Sequence, residues 1–416
     1  MRIFEEYLRL PHGMVDRDSI WEKRTREILS QHANIGVKMG FDLKRYAPLG
    51  FSSTFKKGTE TTKDRVYEFV SKSGNFLMIS PDSTASVMRE YISSGEREVK
   101  RIAFVTPVVR QRNKNRNYRH YTQVGYAIIN ETSIDTRTET GMNLPLIQLA
   151  KGMKELYDAA GVKMIIRLNN YEALRRIFLL YVSESELAAL FYKLQFASVD
   201  ERSRLFKNII TDKQRCEQLV NMFQQDSIKI EPNVDNILNF PEEYLGIYKV
   251  ARALKYYTDV DVYFEPANLQ SIATVDNYHM RFVTLDGVHL GDGGEYTNYA
   301  RRFHPEINSL YSVATALEEV ERNGSIELPL DTMKKVTIFN MNANPMFVLQ
   351  VMKEFEGLGF AVVVKGVVNK LGKAIKKLEE DCTHISILRQ NDANIEDVEV
   401  EDLKSGESVS LMSLHF

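Results

Sequence analysis

The sequence is poor in several residue types that would announce a chemistry. It holds two cysteines, Cys216 and Cys382, far apart and in no CxxC pair. That excludes a cysteine zinc site, a redox dithiol and a disulfide scaffold. Its eight histidines show neither HExxH nor HxxxH spacing, so no metal site is expected. There is no GxSxG elbow, no GxGxxG fingerprint and no P-loop lysine. An excess of one charge is missing too: 54 Lys+Arg face 56 Asp+Glu, a net charge of −2. Such a balance argues against non-specific nucleic-acid binding as the main task. No apolar run approaches the roughly 18 residues that cross a bilayer. The charged start, MRIFEEYLRL, does not read as a secretory signal. A cytoplasmic protein away from membranes is expected.

What is present is ordinary globular composition: 416 residues, 44% hydrophobic and 26% charged, enough for a large core and for two to four domains at roughly 100–200 residues each. Apolar spacing predicts an amphipathic helix from Ser19, its candidate cap, to about Ala33. Paired strands are expected near Arg65–Val70 and Asn75–Ile79, and a helix over Thr84–Ile92. The β-formers of Lys100–Val109 and His120–Asn130 predict a strand–loop–strand unit around a basic loop. A helix at Leu146–Ala160 ends at Gly161, and a short strand follows over Val162–Leu168. From Asn170 to about Arg252 the pattern is largely helical and reads as an insertion. Strand character returns from Val260 to about Val288, and Ile307–Glu321 has helical spacing. After a linker near Asn323–Asp331, strands and helices alternate to the end, the sign of a small α/β domain.

Three constellations carry chemical interest. Arg110, Arg112, Lys114, Arg116 and Arg119 crowd one loop, where guanidinium groups could clamp a phosphate; a solvated hairpin tip carries the same pattern. Gly291-Asp-Gly-Gly294, followed by Glu295 and Tyr296, allows close approach to a ligand, or marks a tight turn. Ser80-Pro-Asp82-Ser-Thr84-Ala places Asp82 and Thr84 at a helix start, where they could hold an ammonium or hydroxyl group or simply cap the helix.

In order along the chain, these segments resemble the histidyl-tRNA synthetase family, a branch of the class II aminoacyl-tRNA synthetase fold. Leu10-Pro-His-Gly-Met-Val-Asp16 is similar to the family's N-terminal segment. Gly40–Pro48 lies where motif 1, a dimer-interface element, belongs. Ser80–Ala85 resembles Arg-Pro-Glu-Gly-Thr-Ala. Arg110 falls on the motif 2 arginine, and Tyr118–Gly125, with Arg119 and Gln123, follows Tyr-Arg-x-Phe-His-Gln-x-Gly. Asp276 and Tyr278 fall in the histidine-loop pattern Arg-Gly-Leu-Asp-Tyr-Tyr. Gly293-Gly294-Glu-Tyr296 resembles Gly-Gly-Arg-Tyr, and Tyr311–Val320 sits at motif 3. The resemblance implies an α/β (α+β) fold: an antiparallel class II synthetase-like core over 1–168 and 256–325, a helical insertion over 169–255, and an anticodon-binding-like α/β domain over 332–416. It implies a ligand pocket of Asp82, Thr84, Arg110, Arg119, Gln123, Asp276, Tyr278, Gly293 and Gly294, and a homodimer.

The departures shape the functional expectation. The motif 3 arginine, which holds the γ-phosphate of ATP in the family, falls on Glu319. The histidine-loop arginine falls on Ala273, the Arg of Arg-Pro-Glu is Ser80, its glutamate is the shorter Asp82, and a further pocket carboxylate falls on Ala127. An anion beside triphosphate repels it, and each lost electrostatic donor can cost about 10²–10³ in rate. The last domain, 331–416, carries 10 Lys+Arg against 13 Asp+Glu, little support for binding tRNA phosphates; the Lys370, Lys373, Lys377 row reads as a solvated helix face. The resemblance therefore implies a degenerate, non-catalytic paralogue. Ser183–Leu190 and Val199–Arg202 resemble the helical region of the regulatory subunit of short-form ATP phosphoribosyltransferase, in histidine biosynthesis. Such a subunit would act through that catalytic partner and sense an amino acid or related small ligand. The alternatives are an acyl-adenylate-forming ligase that does not use tRNA, with ATP and magnesium, and a true histidyl-tRNA synthetase.

Overall fold

The computed structural model describes residues 14, 16–58, 66–110, 119–131, 143–230, 240–269, 271–272, 274–326, 334–365, 371–376, 378 and 382–415. The chain forms two compact units, Met1–Ile326 and Glu327–Phe416.

The first unit is built on a nine-stranded sheet. Its strands run in the spatial order Asp42–Arg45, Lys100–Val109, His120–Ile129, Leu310–Ala316, His289–Glu295, Tyr278–Thr284, Met164–Asn170, Val262–Phe264 and Ile228–Lys229. The six central strands are antiparallel neighbours, while Asp42–Arg45 pairs parallel with Lys100–Val109, and Met164–Asn170 parallel with Val262–Phe264. Alternation sends successive side chains to opposite faces. Val124, Tyr126, Ile128, Val313, Met280 and Phe282 face the large core, against the helices Ser19–Lys38, Leu144–Ala159 and Gly246–Thr258. Phe104, Ala127, Ile129 and Leu310 face the other way, and the helix Thr84–Ser93 covers part of that side through Val87, Met88 and Tyr91.

The first helix runs to Lys38 rather than Ala33, and its cap is Asp18, whose side chain accepts from Trp21 N, rather than Ser19. The segment Ile307–Glu321 is not one helix. Leu310–Ala316 is a strand between His120–Ile129 and His289–Glu295, and only Leu317–Asn323 is helical. Leu310, Val313 and Leu317 mimic helical spacing, but the β-formers Tyr311, Val313 and Thr315 have two strands to pair with, and pairing overrides the pattern. The stretch read as an insertion supplies the helices Tyr171–Leu179, Glu184–Phe196, Val199–Ile209 and Lys213–Phe223. It builds no core of its own: Phe178, Leu190, Phe206 and Leu219 continue the core of the sheet. Ser183 with Glu186, and Ser198 with Glu201, form capping boxes at two of these helices, so both segments that resemble the regulatory subunit are also local helix-start signals.

The second unit is a five-stranded sheet in the order Ala361–Lys365, Lys335–Met341, His384–Arg389, Glu399–Asp402, Ser408–Ser410. The helix Pro345–Gly357 contributes Phe347, Val351 and Phe355 to its core. Lys373 lies on the short helix Leu371–Ile375; Lys370 and Lys377 are outside the described residues.

Candidate functional site

The less covered face of the central sheet holds the candidate residues. Small side chains form its floor. Ala127 pairs with Ser312 and Gly125 with Ala314, and these stand beside Gly294 and Asp292 on the next strand. The glycine cluster is not a turn. Gly291, Gly293 and Gly294 lie inside the strand His289–Glu295, and the turn is at Gly287, whose φ is +89°. A Cβ on Gly125, Gly293 or Gly294 would press into the backbone carbonyl of a neighbouring strand. These glycines let the strands approach.

At one end of the floor, the segment Ser80–Thr84 is tied to the strands below it. Arg110 Nε donates to Pro81 O at 2.6 Å and its guanidinium stands over Tyr121. Ser83 N donates to Gln123 Oε1 at 3.0 Å, and Asp82 Oδ1 accepts from Ala85 N at 3.2 Å. So Asp82, Arg110 and Gln123 are brought together, and each already serves the local frame. Thr84 opens the helix half-buried. Arg119 Nη1 donates to Tyr67 Oη at 3.2 Å. Arg112, Lys114, Arg116 and Ala273 lie outside the described residues, as does most of Leu10–Asp16.

Farther along, Asp276 Oδ2 accepts from Asn298 N at 2.6 Å. Burial raises the Asp276 carboxyl above its usual range, against its bonds from Asn298. Glu295 is pushed up to about 7 by burial and then by Asp276. Tyr278 is not part of the open face: it is buried in the helix-covered core, and a Cβ on Gly246 would meet its hydroxyl.

Tyr296 is the centre that connects these groups; the sequence motifs contain it and Asp292, but the expected pocket includes neither. Burial keeps its phenol protonated, reinforced by Asp292, Tyr171, Asp82 and Asp276 around it. Asp292 sits inside the glycine motif, which the sequence offers for its glycines and not for a carboxylate. The signal that could have found it is a carboxylate inside a strand whose neighbours on that face are small. Beyond it, Arg281 stands opposite Asp292, and Arg167 opposite Arg281. Glu265 accepts from Arg167 Nη1 at 2.8 Å and from Arg281 Nη1 at 2.8 Å.

The motif 3 helix carries its acids inward. Glu318 accepts from Thr122 N at 2.8 Å and from Arg17. Glu321 accepts from Thr25, and burial pushes its carboxyl up to about 7. Glu319 is buried, with Arg322 Nη1 at 3.8 Å. Arg301 Nε is engaged by Ile307 O at 3.1 Å. No group of three or more His, Cys, Asp or Glu among the described residues is placed to hold a metal. None of their helices is long and apolar enough to cross a membrane.

This antiparallel sheet, with a strand–helix motif 3 and helices on its far side, defines a class II aminoacyl-tRNA synthetase-like fold. The sequence model of the family described as Histidyl-tRNA synthetase matches residues 13–315. The chain belongs to the histidyl-tRNA synthetase family. A histidine–tRNA ligase of Chlamydia felis is 22% identical over 375 residues, covering 85% of this chain and 80% of the relative. One from Mycoplasma mycoides is 29% identical over 141 residues; there the match spans 30% of this chain and only 33% of the relative's length. In fold, the chain is similar to a protein described as an ATP phosphoribosyltransferase regulatory subunit/histidyl-tRNA synthetase from Bacillus halodurans. The TM-score is 0.71 at 15% identity, over 92% of this chain and 98% of that one.

Proposed function

We propose that this chain is a non-catalytic member of its family, a regulatory subunit of the ATP phosphoribosyltransferase type that senses a small ligand and acts through a catalytic partner. The observation that carries this reading is Glu319. It stands buried in the first turn of the motif 3 helix, with Arg322 Nη1 at 3.8 Å, where the family resemblance calls for the arginine of the γ-phosphate. An anion there opposes a triphosphate, and Asp82, Asp276 and Asp292 around Tyr296 add to that field. Among the described residues Arg110 is a motif 2 cation near Asp82, and it is committed in part to Pro81 O. These residues do not fit ATP and magnesium. The likeness to the Bacillus halodurans protein supports the regulatory assignment, and the homodimer belongs to the same reading.

The test has two arms. The purified chain is assayed for pyrophosphate exchange with ATP and each amino acid, and mixed with a short-form ATP phosphoribosyltransferase catalytic subunit. The reading expects no exchange, a stable complex and a changed transferase rate. Exchange with any amino acid, or neither complex nor rate change, overturns it.

A further inference from the structure

The cluster around Asp292 has unspent acceptor capacity of a particular kind. Asp292 is in the row that runs Ala314, Asp292, Arg281, Arg167 across adjacent strands. Its side chain is 48% exposed, and among the described residues its one ion-pairing neighbour is His289, at 3.5 Å. Arg281, directly opposite, gives Asp292 no ion pair. Arg281 and Arg167 both turn to Glu265, which also accepts from Asn268 Nδ2 at 2.9 Å. Burial opposes the Glu265 anion, and Arg281 foremost holds it ionised. Much of the cationic charge at that end is thereby spent internally.

His279 is the second and independent observation. It lies in the neighbouring row of the same face, opposite Gly294 and Asn169, and is 2% exposed. Its Nδ1 is 3.2 Å from Tyr171 Oη. Tyr171 has one hydroxyl proton, and it goes to Asn268 O at 3.0 Å. The proton in the His279–Tyr171 contact therefore comes from Nδ1. Burial holds the imidazole neutral, with its pKa near 4. Nε2 is left as a bare lone pair, and it has no hydrogen-bond partner. An orphaned buried acceptor is costly, and the charged group that acts on it most is Asp292. Asp292 and His279 thus share one sheet face with Gly294, Ser312 and Ala127, and Asp292 lies close enough to act on both the His279 imidazole and the Tyr296 phenol.

We propose that this cluster is a subsite for an aliphatic primary ammonium group, with Asp292 as its counter-ion and His279 Nε2 as a hydrogen-bond acceptor. The proposal rests on the reading of the face as a ligand-sensing site and names the chemical class of the ligand. An ammonium offers three N–H donors and a compact charge, which suits one carboxylate and one lone pair. A neutral alcohol offers one donor and no charge. A carboxylate or phosphate ligand would meet acceptors.

Calorimetry on the full chain tests it with lysine, 1,5-diaminopentane and n-butylamine, against n-butanol and glutarate. Saturable binding of at least one amine is expected, weakened at least tenfold in Asp292→Asn and about fivefold in His279→Phe. Neither n-butanol nor glutarate is expected to bind. If a variant fails to fold, nitrogen-15 NMR of the wild-type imidazole decides. The Nδ1–H tautomer is expected, with the His279 Nε2 resonance moving upfield when the amine is added. No binding of any amine, equal binding by the variants, binding of glutarate, or an Nε2–H tautomer overturns the proposal. Pyrophosphate exchange by a chain that binds amines would sink the regulatory reading and leave this subsite standing.

Discussion

Arg281 stands opposite Asp292 in the hairpin register, yet its Nη1 reaches past the row to Glu265 at 2.8 Å. One buried carboxylate thereby gathers two guanidiniums, and a second carboxylate is left facing the open floor. The same division ties two interior strands to the segment after Val262–Phe264 and leaves a carboxylate on the site's face.

Glu265→Gln is the direct probe of that division. It leaves Arg167 and Arg281 close together without their counter-ion, and a loss of about 1–3 kcal/mol at pH 7 is expected. The folded-state pKa of Glu265 lies below its usual value, so its contribution is present above the unfolded pKa and fades as pH falls through the folded one. Denaturant unfolding at pH 7 and pH 3 is expected to show the gap between wild type and variant closing in acid.

Glu321 predicts the opposite sign. Its folded pKa is pushed up to about 7 by burial. The native state therefore binds the extra proton between the ordinary carboxylate range and neutrality, and stability falls as pH rises through that window. Glu321→Gln is expected to match wild type near pH 4.5 and to exceed it at pH 8 by about 1–3 kcal/mol. Melting curves across that range check the crossover.

Arg202 joins the helix Val199–Ile209 to the segment after Glu265. Its Nε donates to Leu194 O at 3.0 Å and its Nη1 to Ala267 O at 2.6 Å. Arg202→Ala is expected to cost about 2–4 kcal/mol by leaving two carbonyls without a donor. Lysine cannot replace the fork and is expected to recover less than half. Chemical denaturation of both variants measures this.

Gly125→Ala tests the close strand approach. The added Cβ would run into Val313 O, a backbone atom that cannot turn aside. Loss of soluble protein, or a melting temperature lowered by more than about 5 °C, is expected, at a cost of about 1–3 kcal/mol.

Much of the fold was legible because periodicity and pairing agree. Lys100–Val109 and His120–Ile129 are long β-forming runs, and Pro345–Gly357 opens on proline and closes near Gly359. Leu310–Ala316 was not legible, since its apolar spacing fits a helix and only the two flanking strands decide otherwise. In the site, Asp82, Arg110 and Gln123 stood out through family motifs, and they do lie together. His279 and Arg281 match no motif, and Asp292 lies in one only as a residue between glycines. Their relation depends on register across three strands, which a single sequence does not display. Tyr278 was drawn in by its motif, but strand alternation turns it to the core.

The proposed loss of the nucleotide site is tested most directly by ATP binding. The full chain is titrated calorimetrically with ATP and magnesium, then again with histidine present. The account predicts no saturable heat at millimolar ATP in either titration. Saturable binding would mean that another cation offsets Glu319, and the non-catalytic reading would be wrong.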